Sequence, residues 1–185
     1  MGVGSDRMKN KLLRQWLGAT LSAALLIGIT GCGGPESFTV SDLCGRKVDP
    51  ALVAPFLPGG ETLKVDDGIS APEQPRCQVY VDDDLRLYVR GNIDKADFDI
   101  LKATERSMRR LGNPTPADGI GDGATIADRG AMAVQACTYR GEKRQYILEI
   151  DGVDHPANTA ERRKALEELL RAHLPVVMEA EGCPP

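Results

Sequence analysis

The sequence is poor in the residues on which most chemistry depends. It has two histidines, His155 and His173, one tryptophan, and aromatics at only 4% of 185 residues. No C-x-x-C, H-E-x-x-H, G-x-S-x-G, S-x-x-K or phosphate-loop pattern occurs. That removes the motif-bearing zinc, thiol-redox, serine-hydrolase and nucleotide classes from expectation. Low-complexity composition is also absent, since 20 glycines and 12 prolines are too few for it. What is present is 42% hydrophobic residues, enough for one domain with a core and too short a chain for two.

The N-terminus carries the clearest signal. Arg7, Lys9, Lys11 and Arg14 form a basic start, and residues 16–31 carry no charge and are rich in leucine. Those sixteen residues span roughly 24 Å as a helix, short of the ~30 Å hydrocarbon thickness. A secretory signal is therefore expected rather than a permanent span. At its end, Ile29-Thr30-Gly31-Cys32 resembles the lipobox of bacterial lipoproteins. The resemblance implies a signal peptide over 1–31 and a diacylglyceryl group on the Cys32 thiol. It further implies a lipidated tether over 32–38, a single extracytoplasmic domain over 39–185, and lipid anchoring to the cell membrane. Two or three acyl chains give stable anchoring where one is marginal.

Removing four basic residues and one acid leaves 19 basic against 26 acidic, a net charge of −7. Nucleic acid needs a concentrated cationic footprint, so it is not an expected partner. Four cysteines remain: Cys44, Cys77, Cys137 and Cys183. An even number outside the cytoplasm reads as two disulfides. Three pairings exist; Cys44–Cys77 with Cys137–Cys183 is favoured, because each then ties a helical segment to a nearby strand.

The expected fold class is α+β, a mainly antiparallel sheet with helices packed on one face. A helical segment over 39–57 has Asp49 as cap and Pro50 at the first position, and a loose stretch follows to residue 75. Cys77, Val79 and Val81 alternate with polar residues, as do Leu85, Leu87 and Val89, which predicts a hairpin with Asp82-Asp83-Asp84 as its loop and Val81 opposite Leu85. Asp94 is expected to cap a helix over 94–111, with Phe98, Leu101, Met108 and Leu111 buried and Gly112 just past its end. Residues 113–116 read as a linker. A three-strand meander is expected over 125–128, 131–140 and 144–151. A last helix begins after Asn158 and breaks at Pro175. Both halves run Cys, hairpin, helix, the pattern of a distant internal duplication.

Taken together, Ile29-Thr30-Gly31-Cys32, Leu43-Cys44-Gly45, Cys77-Gln78-Val79-Tyr80-Val81 and Gly119-Ile120-Gly121-Asp122-Gly123-Ala124 resemble the small cysteine-paired lipoproteins of actinobacteria. The resemblance implies an envelope location and an α+β fold, and supplies no activity.

Candidate sites are few. Gly119-Ile120-Gly121-Asp122-Gly123-Ala124 matches G-x-G-x-x-A, but a strand-like segment follows where a dinucleotide site needs a helix, so a tight turn and no cofactor are expected. Asp82-Asp83-Asp84, Asp66-Asp67 and Asp118/Asp122 lack EF-hand spacing, and no metal is expected. His173 is expected packed on the last helix, hydrogen-bonded, and His155 in an exposed loop. Lys102, Arg106, Arg109 and Arg110 form the wet side of the middle helix. The outer face of the first hairpin interleaves Tyr80 and Tyr88 with Arg86 and Arg90, beside Gln78; such a face can stack on a sugar or hold an anionic group. The expectation is a non-catalytic binding or interaction module whose partner is an envelope polymer or a membrane protein. The alternative is a cell-envelope hydrolase assembled in space from His155 or His173 and neighbouring carboxylates.

Overall fold

The computed structural model describes residues 37–71, 74–97 and 99–185. The signal segment, Cys32 and most of the tether lie outside the described residues, as does Phe98. The described residues form one compact unit.

The fold is α+β and antiparallel, as the sequence predicts. A small hairpin, β1 (Asp42–Leu43) and β2 (Arg46–Lys47), opens the described chain, followed by α1 (Pro50–Val53) and a 3-10 turn over Ala54–Phe56. Then come β3 (Leu63–Asp66), β4 (Ile69–Ala71), β5 (Gln74–Val81), β6 (Asp84–Lys95) and α2 (Ile100–Arg110). The second half contains β7 (Thr115–Ala117), β8 (Gly123–Ile126), β9 (Gly130–Tyr139), β10 (Glu142–Gly152) and α3 (Thr159–Ala180). The main sheet has the order β3-β5-β6-β10-β9-β8-β7, with β4 pairing the start of β5. Cys44 pairs with Cys77 and Cys137 with Cys183, the favoured connectivity.

Local chemistry explains most elements. Asp49 accepts a bond from the Ala51 amide at 2.9 Å, Asp99 from Lys102 at 3.1 Å, and Asn158 from Ala160 and Glu161 at 2.9 and 3.1 Å. Each therefore satisfies otherwise unpaired amides of a first helical turn. The second helix thus starts after Asp99 and not at Asp94, because β6 continues to Lys95 against β10. Residues 39–48 are not helical: Cys44 and Gly45 take φ of 58° and 70°, the two left-handed positions of a tight hairpin turn. The same device closes β5–β6, where Asp82 and Asp83 have φ of 51° and 64°. The loop is two residues long, and Val81 faces Asp84. A bulge between Val79 and Tyr80 restores the expected pairs Val79–Leu87 and Cys77–Val89. Residues 63–66, 69–71 and 115–117 form strands where the sequence predicts a loose stretch and a linker.

The helices divide between the two faces of the sheet. Leu166, Leu169, Leu170, Leu174 and Val177 of α3, with Phe56 and Leu43, pack on Val79, Leu87, Val89, Ala133, Tyr146, Leu148 and Ile150. The opposite strand parity, Met132, Val134 and Ile147, meets Met108, Leu101 and Leu111 of α2. The single covered face of the sequence reading is therefore corrected: α3 takes one face and α2 the other, because β9 and β10 are apolar on both sides. The duplicated order is not matched in packing, since α3 rests on its own hairpin while α2 crosses to β8 and β9. Nor does Pro175 break the last helix, which runs through it to Ala180 with Val177 and Met178 buried beyond.

Candidate functional site

Because α2 covers only the β8–β9 side, the same face of β10, β6, β5 and β3 carries polar residues in cross-strand rows. One row sets Asp66 opposite Gln78, Gln78 opposite Tyr88 and Tyr88 opposite Asp151; the next sets Arg76 opposite Arg90 and Arg90 opposite Glu149. Neighbours on one face of paired strands lie about 4.5–5.5 Å apart at Cβ, so these side chains form one surface.

Tyr80 and Tyr88 both stand on this surface as expected, with the Lys64 ammonium 5.7 Å from the centre of the Tyr80 ring. The two expected arginines are already neutralised. Arg86 is the extra residue of the bulge; it bonds Asp84 at 2.8 Å and Asp154 at 2.9 Å, leaving its side chain 13% exposed. Arg90 forms an ion pair with Glu149. The sequence reading brought the tyrosines together correctly but missed these carboxylates. Glu149 and Asp151 alternate with Leu148 and Ile150, which was visible in the sequence. That β10 lies beside β6 was not.

Arg76 was also missed. Among the described residues it has no acidic partner, and its Nε is buried without an acceptor. It borders a cleft of about 270 Å3 with Asp66, Gly68, Gln78 and Tyr88. Nearby, burial pushes the Asp151 carboxyl up to about 6, with Glu149 adding to the rise and Arg90 and Arg129 opposing it.

The other candidates resolve into structure. Asp82 accepts from the backbone amides of Thr62 at 2.8 Å and Glu61 at 2.9 Å, bonds that hold its carboxyl below the usual range and clamp the loop before β3. Asp122 accepts from the Ala136 amide at 2.6 Å, and Gly119 and Gly121 take φ of 69° and 56°, so the glycine-rich segment is a turn entering β8. Among the described residues no group of acidic, histidine or cysteine side chains could hold a metal ion. Along α2, Arg109 pairs with Glu105 on the solvent side.

The histidines stand apart. His155 is half-buried and its Nδ1 lies 3.0 Å from Asp154, whose carboxyl this bond and Arg86 hold low. His173 is 1% exposed and neither ring nitrogen has a hydrogen-bond partner, contrary to the expected hydrogen bond. Tyr146 is likewise fully buried with an unpartnered hydroxyl, and its titration is pushed well above the ordinary tyrosine range chiefly by that burial. No known protein family, curated protein or solved structure matches the chain.

Proposed function

We propose that the chain is a lipid-anchored extracytoplasmic lipoprotein whose α+β domain is a non-catalytic binding module of the cell envelope. In this reading it engages an envelope polymer or a membrane-protein partner through the open half of the sheet. The observation that carries the proposal is the closed pairing of the cysteines. Cys44, Cys77, Cys137 and Cys183 use one another up, so the fifth, Cys32, is left for another chemistry. It stands at the end of a charge-flanked apolar segment in a lipobox-like setting. Two disulfides in one small domain also fit an oxidising compartment and not the cytosol.

The aromatic and polar composition of the open face supports binding. Tyr80, Tyr88, Gln78 and Arg76 offer ring faces and donors in one plane, suited to a hydroxyl-rich or anionic ligand.

Membrane fractionation of the Cys32→Ala variant tests the anchor. The expected result is release from the membrane or accumulation of an uncleaved precursor. Unchanged processing and fractionation would overturn the reading.

A further inference from the structure

The open half-sheet holds three guanidiniums, two of them spoken for by carboxylates of the same chain. Arg76 differs in one respect: among the described residues it has no acidic partner. It stands directly across from Arg90, and its Nε, like that of Arg86, is buried with no acceptor. With Arg90 matched by Glu149, the guanidinium of Arg76 is the one on this face without a counter-charge among the described residues, which an anion entering from outside would supply.

The surroundings define what that anion is attached to. The cleft beside Arg76 measures about 270 Å3 and is walled by Tyr88, Gln78, Asp66 and Gly68. That is just under the ~300 Å3 at which pockets for drug-sized ligands begin, so one ring-sized group fits and a long segment does not. Tyr88 supplies a ring face, Gln78 a donor and an acceptor, and Asp66 a further acceptor whose charge Lys64 offsets at 3.3 Å. A guanidinium fork matches a planar carboxylate, while Asp66 suits a hydroxyl donor and repels a second negative charge.

We propose that the Arg76 cleft is a binding subsite for an acidic sugar, a uronate whose carboxylate meets the Arg76 guanidinium while its ring lies on Tyr88 and its hydroxyls meet Asp66 and Gln78. The proposal rests on the reading of this face as a binding surface and names the ligand class it takes.

Saturation-transfer NMR and titration calorimetry on the full-length protein in detergent micelles test it, with sodium glucuronate, glucose and N-acetylalanine as probes. Glucuronate is expected to bind, and glucose at least about tenfold more weakly, the loss of one charge-assisted contact. Arg76→Gln should lower glucuronate affinity by a similar factor of about ten or more, with Arg76→Lys falling between it and the wild type. Because Arg76 adjoins a disulfide cysteine, peptide mapping of the Cys44–Cys77 link accompanies each variant, and Tyr88→Leu gives a second, independent loss. Equal binding by Arg76→Gln, equal binding of glucose, binding of N-acetylalanine alone, or no glucuronate binding would each overturn the proposal. A protein that fractionates with membranes yet ignores glucuronate overturns only this subsite. One that binds glucuronate but is never anchored overturns only the lipoprotein reading.

Discussion

His173 is held neutral in the folded chain. Burial, with Arg46 nearby, pushes its titration down to about 4 from 6.5, and Asp42 opposes only in part. The unfolded chain therefore binds the extra proton, and the contribution of His173 is complete above pH 6.5 and lost as pH falls toward 4, about 3 kcal/mol in all. Asp151 has the opposite sign. Its folded value of about 6 lies above 3.8, so its contribution is complete below pH 3.8 and lost as pH rises through 6, again about 3 kcal/mol. The two losses overlap and mask each other. Urea denaturation between pH 4 and pH 8 is expected to show only a shallow net dependence from this pair. His173→Leu should leave a protein that weakens on going from acid to neutral pH, and Asp151→Asn one that weakens toward acid. A wild type and His173→Leu with parallel profiles would contradict the buried neutral imidazole.

At the scale of elements, two positions carry a local backbone cost that a substitution can relieve, a missing amide at one and a left-handed φ at the other. Pro175 lies inside α3 on an exposed site, where it removes the amide that would bond to the Arg171 carbonyl. Its neighbours Val177 and Met178 are buried and Cys183 is bridged to β9, and these contacts hold the helix together past the proline. Pro175→Ala should stabilise the protein by about 1–3 kcal/mol in urea melts, since no packing is lost. Asp83 sits exposed at φ of 64° in the β5–β6 turn, so Asp83→Gly should stabilise by about 1 kcal/mol. These are also the places where reading the sequence fell short. Periodicity made the hairpin, the meander and the apolar stripe of α3 legible, and side-chain type alone the caps at Asp49 and Asn158. The helix stop at Pro175 was a local rule overruled by packing. The strand at 63–66 does alternate, Leu63 and Val65 with Lys64 and Asp66, but it is only 4 residues long, an edge piece with Val65 exposed that only β5 pairs with. The candidate face was half legible: strand parity put Tyr80, Arg86, Tyr88 and Arg90 together, but of the carboxylates that neutralise the arginines only Asp84 is local, while Glu149 and Asp154 come from β10 and the loop after it, more than 50 residues away. Arg76 was overlooked because nothing local marks a cation as lacking a partner.

For the molecule as a whole, the disulfides fix what packing leaves loose. Cys44–Cys77 pins the β1–β2 hairpin to the sheet, where Arg46 also meets Glu181 of the α3 terminus at 2.8 Å. Cys137–Cys183 ties that same terminus to β9. Both bridges thus act on the α3 side, where the first and last described segments meet above Tyr146 and His173. With sequence separations of 33 and 46, each constrains the unfolded chain by about 4 kcal/mol on the chain-entropy model. A domain of this size has roughly 5–15 kcal/mol of total stability, so losing both is expected to unfold it. Paired alanine variants at Cys44 and Cys77, or at Cys137 and Cys183, should each lower the unfolding free energy by about 3–4 kcal/mol, and the quadruple variant should lack a cooperative transition. Cys77, Cys137 and Cys183 are buried, so the native bridges should resist reduction until the fold opens. Thiol labelling in reductant, followed against circular dichroism, checks this: labelling that runs ahead of unfolding would mean that the bridges decorate the fold and do not secure it.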